Sequence, residues 1–199
     1  MKAMKYLAAS CLLAASATSQ AALINFTGEI EYHNDVVYTY FTLNQDTNNV
    51  RVWTDSFQNG DNFDPITALW SGDGNLIAQN DDDDSINPDT QTNYDSGFNL
   101  SFLEAGDYIF TVATYNNFAA GNSLSDGFNF DGQNPIPLAD WDQPANDVNM
   151  GPNWSVWLDG ADSASNPGAD DPVAVPEPGT LALIATGLLG LGLRRRKQA

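Results

Sequence analysis

From residue 24 onward the apolar side chains recur at every second position, and the runs are short. Phe26 and Ile30 mark a first run over residues 24–31, and residues 36–43 hold Val, Tyr, Phe and Thr. A third run at residues 50–54 carries Val52 and Trp53. Runs at 66–70 and 76–79 flank Ser71-Gly72-Asp73-Gly74-Asn75, which reads as a turn. Phe98, Leu100 and Phe102 alternate in one later run, and Tyr108, Phe110 and Val112 in the next. Residues 154–158 resume the pattern after a long polar stretch. Side chains on a strand alternate between its two faces, so each run predicts a strand with one face buried. No segment between the two chain ends holds an apolar period of 3.6. About eight short strands separated by Gly, Asn and Asp turns predict an all-β domain, a single antiparallel β-sandwich of jelly-roll type. Residues 116–152, rich in Asn, Asp, Gly and Pro, read as long surface loops. Residues 159–174 read as a flexible linker that would lift the domain from a membrane. Trp154 and Trp157 are three apart, so they face opposite sides of their strand.

The two ends follow another pattern. Lys2 and Lys5 precede an apolar run over residues 7–17, and Ser19-Gln20-Ala21 supplies a small-x-small cleavage site. Residues 1–21 therefore read as a secretory signal peptide, handled by the Sec translocon and a signal peptidase. Cys11 lies inside the apolar run rather than at its end, so it does not mark a lipidated terminus. At the other end Val175-Pro176-Glu177-Pro178 leads into an uncharged, largely apolar stretch, residues 180–193. Arg194, Arg195, Arg196 and Lys197 follow. The prolines keep the motif extended. The apolar stretch is shorter than the ~20 residues of an ordinary span, which suits a temporary inner-membrane anchor. Basic residues after it would stay cytoplasmic, leaving the domain outside. Residues 175–199 resemble the sorting signal of PEP-CTERM proteins: motif, short helix and Arg-rich tail. The resemblance implies recognition by an exosortase, a membrane transpeptidase that would cut near Pro176-Glu177-Pro178. It also implies a Gram-negative host that makes exopolysaccharide and biofilm matrix.

Setting the ends apart changes the charge. Only Arg51 among the seven basic residues lies between Lys5 and Arg194, and all 26 acidic residues lie there too. One base against 26 acids gives that part a formal charge of −25, where the whole chain has −19. Such a field repels nucleic-acid phosphates and anionic lipid, favours cations, and keeps an exported protein soluble. The lone Cys lies in the signal peptide, so the domain at 22–158 has no disulfide, and no Cys/His cluster offers a zinc site.

A second resemblance covers residues 24–158. Asn34-Asp35-Val36-Val37-Tyr38-Thr39-Tyr40-Phe41-Thr42-Leu43, then Gly74-Asn75-Leu76-Ile77-Ala78-Gln79-Asn80-Asp81-Asp82, then Ala105-Gly106-Asp107-Tyr108-Ile109-Phe110-Thr111-Val112, are similar to bacterial pre-peptidase C-terminal-like domains. That resemblance implies a jelly-roll-like accessory module, in some members with bound calcium.

Candidate chemistry centres on Asp81, Asp82, Asp83 and Asp84, with Asp95 nearby. Calcium takes about six to eight oxygen ligands, and adjacent carboxylates that repel one another would be relieved by it. The spacing is not that of an EF-hand, since Ile86 and Thr92 stand where Gly and Glu are required. A solvated acidic loop is the competing reading. Asp55, Asn59, Asp61 and Asp64 form a weaker group, with Asp64-Pro65 read as shaping a turn. Trp141, in a polar loop, is the expected exposed aromatic for stacking on a sugar. His33, the only His, is expected on a solvated turn and not as a general base. With no cysteine nucleophile and no phosphate loop, the chain reads as no enzyme: an exported surface or matrix protein meeting exopolysaccharide, or alternatively a carbohydrate-binding module, and after these a secreted hydrolase.

Overall fold

The computed structural model describes residues 23–143, 147–148, 150–169 and 173–174. The expected signal peptide and the motif, apolar stretch and arginines from Val175 to Arg196 lie outside the described residues. Eight longer strands form where the alternation places them: β1 (Ile24–Glu29), β2 (Val36–Leu43), β3 (Thr47–Thr54), β4 (Pro65–Ser71), β5 (Leu76–Asn80), β6 (Gly97–Leu103), β7 (Gly106–Thr114) and, after two short strands, β10 (Asn153–Asp159). The short strands β8 (Asp142–Gln143) and β9 (Asp147–Val148) pair as a ribbon. Two more follow, β11 (Ser163–Ser165) and β12 (Val173–Ala174).

One sheet runs β12-β1-β10-β3-β6 and the other β11-β2-β7-β4-β5, every pairing antiparallel. Taken without β11 and β12, the eight longer strands have the order of a jelly roll. The inner faces meet in one core: Phe26, Val52, Val156 and Leu158 from the first sheet, and Phe41, Leu69, Phe110 and Val112 from the second. Phe98 reaches across to Phe110, with ring centroids 6.2 Å apart at 89°. Trp154 is 2% exposed and faces this core. Its indole lies over Gly28, its register partner on β1, where an added Cβ would sit 2.6 Å from Trp154 Cζ2. Trp157 points to the opposite face, as the spacing predicts. There it stacks on its cross-strand partner Trp53 at 6.2 Å and donates to Asp55 Oδ2 at 2.7 Å.

Both outer faces are partly covered by the long loops. Phe128, from the loop after β7, meets Trp70 at 6.2 Å and 71°, over Ala68 and Ile109. Strand β4 is therefore buried on both faces. Over the first sheet Arg51 ties the loop after β5 to the strands. Its guanidinium donates to Asp159 Oδ2 at 2.6 Å and to Ile86 O at 3.3 Å, and its Cζ lies 5.2 Å from the Trp53 ring centroid.

Where it is described, the stretch at 159–174, expected as a flexible linker, carries structure instead. Ser163, Ala164 and Ser165 pair with Thr42, Phe41 and Tyr40, Asn166 donates to Thr39 Oγ1 at 2.9 Å, and Ala161 is 2% exposed. Val173 and Ala174 then pair with Asn25 and Ile24. Small polar residues have low strand propensity, but an open sheet edge needs only a backbone to pair with. The sandwich thus continues past residue 158.

Candidate functional site

Strands β4 and β5 are joined by the turn at Gly72–Asn75 and pair with Thr67 opposite Asn80. Residues just before β4 and just after β5 therefore lie at the same end of the hairpin. This places Asp64, Asp81 and Asp82 together, one carboxylate oxygen of each within 4.8 Å of the others. Two oxygens bound to a single calcium at about 2.4 Å can be no more than about 4.8 Å apart, so the group is compact enough to share one ion. Asp64 is 2% exposed; its backbone N–H donates to Gln143 Oε1 at 3.4 Å and its carbonyl accepts from Tyr115 N at 2.8 Å. Asp81 is half-buried, and its Oδ1 is shielded from solvent with no hydrogen-bond partner among the described residues. Burial, and then the charge of Asp82, push the Asp81 carboxyl above the ordinary carboxylate range. Burial, and then Asp84, do the same for Asp82. Three hard oxygen donors suit calcium or magnesium and not a soft metal.

The expected ligand set is thus redistributed. Asp81 and Asp82 lie in the group, and Asp64, read from sequence as a turn residue, joins them. Asp83, Asp84 and Asp95 do not. Asp83 Oδ1 accepts from the backbone and hydroxyl of Ser85, at 3.0 and 2.5 Å, which closes a local turn. Asp84 is exposed. Asp95 is fully buried and staples its own loop: Thr54 Oγ1 and Phe57 N donate to one oxygen at 3.1 Å, and Thr92 N and Oγ1 donate to the other at 2.8 and 3.2 Å. Burial raises its pKa, and those four hydrogen bonds pull against the rise. A carboxylate so occupied is a structural clamp.

Trp141 is not exposed. It is 7% accessible and packs against His33 and Phe130, with centroids 5.4 and 6.1 Å away. The loop that carries it is pinned back by Leu138 N donating to Glu31 O at 3.1 Å and by the Tyr32–Pro137 bridge, so the ring is drawn inward. His33 is also buried, at 1%. Its Nδ1 accepts from Ile136 N at 3.1 Å, which assigns the proton to Nε2, and Nε2 donates to Gln133 Oε1 at 3.2 Å. Both ring nitrogens are engaged in holding the loop.

An acidic antiparallel sandwich with a carboxylate group at one hairpin end defines the described part of the chain. Beyond it, residues 174–197 match the family model for the PEP-CTERM protein-sorting motif. That motif is recognised by an exosortase and indicates export and membrane-associated sorting toward the cell surface. The match begins at Ala174, the last residue of β12. No curated protein and no solved structure matches the chain.

Proposed function

We propose that the chain is a non-enzymatic surface or extracellular-matrix protein, one acidic sandwich delivered by an exosortase to the exopolysaccharide or biofilm matrix of a Gram-negative bacterium. The observation that carries this reading is the sorting motif at 174–197 following a folded, strongly acidic domain. The Sec translocon and signal peptidase would act on residues 1–21, and the inner membrane would hold the C-terminal stretch only until cleavage. The antiparallel sandwich is compatible with the pre-peptidase C-terminal-like resemblance. Support for a non-enzymatic role comes from His33, whose two ring nitrogens are committed to the loop. Deletion of residues 175–199 should change where the protein accumulates. Unchanged localisation would overturn the sorting role.

A bound calcium is a second part of this reading. What favours it is the Asp64–Asp81–Asp82 group, with the shielded Asp81 oxygen and two carboxyls that burial, and then a neighbouring aspartate (Asp82 for Asp81, Asp84 for Asp82), make reluctant to ionise. All three would ligate the ion, which would tie the start of β4 to the end of β5. Thermal melting with calcium and with EDTA tests it; a melting temperature unmoved by either would remove it.

A further inference from the structure

Two clefts meet on one side chain. Tyr40 projects from the outer face of β2 and is 41% exposed. Its register partners are Ile109 on β7 and Ser165 on β11, one on either side. A cleft of 410 Å³ opens toward Thr42, Asp107, Ser163 and Ser165. A second, of 490 Å³, opens toward Glu29, Glu31, Asp35, Tyr38 and Asn166. Outward positions on a strand recur about every 7 Å, so a ligand lying along β2 from Val36 to Thr42 would cover roughly 20 Å. That length accommodates an extended chain of small rings.

The chemistry of the walls narrows the occupant. Tyr40 offers an aromatic face, which packs on the apolar CH face of a pyranose and attracts a nearby cation. Around it stand hydroxyls and carboxylates. Among the described residues, every charged residue lining the two clefts is acidic. Asp107 accepts from Thr42 Oγ1 at 2.6 Å through Oδ1, and Asp35 accepts from Glu31 N and Tyr32 N at 2.9 and 2.8 Å through Oδ2. One oxygen of each carboxylate is thereby fixed, and among the described residues no hydrogen bond occupies the other. A polymer of uronates would meet repulsion here, whereas ammonium groups would meet partners on both sides of the ring.

We propose that the double cleft at Tyr40 binds a glycan chain carrying free amino groups, one sugar stacked on Tyr40 and ammonium groups of sugars further along the chain, to either side, held by Asp35 and Asp107. This names a partner for the matrix role argued above and rests on it. Selection comes from charge and stacking acting together: the field of −25 draws in any polycation, and the aromatic face keeps the one that is also a flat, CH-rich ring.

The test titrates the full-length chain in detergent micelles with a glucosamine hexamer, its fully N-acetylated counterpart and an oligomer of uronates, using calorimetry. The glucosamine hexamer should bind at least about tenfold more tightly than the acetylated one, and the uronate oligomer should not bind. Tyr40→Ala should weaken the glucosamine hexamer by about tenfold or more, while Tyr40→Phe, which keeps the ring, should retain most of the affinity. Asp35→Asn and Asp107→Asn should weaken binding and flatten its salt dependence. Equal binding of the acetylated and free-amine hexamers, or no binding of either, would overturn the proposal. So would a Tyr40→Ala protein that binds as the parent does, which would reduce the effect to a polycation on an acidic surface. Localisation is read separately, so failure here leaves the sorting role standing.

Discussion

Asp81→Asn removes one charge from the group at the β4–β5 end and keeps its shape, and its expected effect changes sign with calcium. Unit charges 4.8 Å apart, the outer limit within this group, repel by about 3.5 kcal/mol at an effective dielectric of about 20 and by about 0.9 kcal/mol in bulk water. Asp81 is only half-buried and Asp82 is exposed, so screening favours the lower end, about 1–2 kcal/mol of relief. For a domain of this size 1 kcal/mol is about 2–4 °C in Tm, so in EDTA the variant should melt roughly 2–8 °C above the parent. Calcium at about a hundredfold excess over its Kd would stabilise the parent by about 2.7 kcal/mol. The variant, lacking a ligand and its charge, should lose most of that gain, so the order of the two melting temperatures inverts. Calorimetric melting at pH 7, in EDTA and in calcium, reads both. A variant no more stable than the parent in EDTA, with neither protein shifted by calcium, would refute the reasoning and leave a solvated acidic loop. The pH dependence has a fixed sign as well. Asp81 and Asp82 have folded pKa values above the ordinary carboxylate value, so the folded state takes up their protons first. Their contribution is fully present below the ordinary carboxylate pKa and is lost as pH rises through the raised values. In EDTA, lowering the pH from 7 toward that window should therefore raise Tm, and calcium should blunt the rise.

The remaining expectations concern the sandwich. Gly28→Ala should cost about 1–3 kcal/mol by forcing a Cβ into the Trp154 indole. In a Trp154→Ala background most of that cost should vanish, leaving only the approach to Gly168 O at 3.0 Å; urea unfolding of the cycle measures it, and equal costs in both backgrounds would contradict the β1–β10 register. Trp141→Ala should lower stability by about 3–5 kcal/mol in the same assay, as expected of a buried aromatic; a loss under about 1 kcal/mol would mean the ring is exposed after all. Trypsin should leave the native chain uncut between Lys5 and Arg194, because the one basic residue there, Arg51, lies within β3 and is tied to Asp159; cleavage at Arg51 should appear only on denaturation.

The eight longer strands were legible because a strand with one wet face writes its burial into the sequence at period two. The Trp154 and Trp157 faces followed from the same rule. What the rule cannot carry is the path of a loop. Trp70 lies on the outer face of β4, and only the return of Phe128 from the following loop explains its burial. His33, in a polar sequence neighbourhood, is buried by hydrogen bonds to residues about a hundred positions away, and Trp141 by packing its ring against His33 and Phe130. β11 was hidden because its contribution is backbone pairing, which leaves no side-chain signal. Asp64 was within reach of the sequence. The turn at Gly72–Asn75 fixes the hairpin, and carrying its register outward from Thr67 and Asn80 sets the residues before β4 beside those after β5.

Export followed by exosortase cleavage is the claim on which the rest depends, and the mass of the mature protein tests it most directly. Intact-mass spectrometry of the protein recovered from the cell surface or medium should give a chain ending within or beside Val175-Pro176-Glu177-Pro178, without residues 180–199. Recovery of that protein with Arg194 to Lys197 still attached would contradict it.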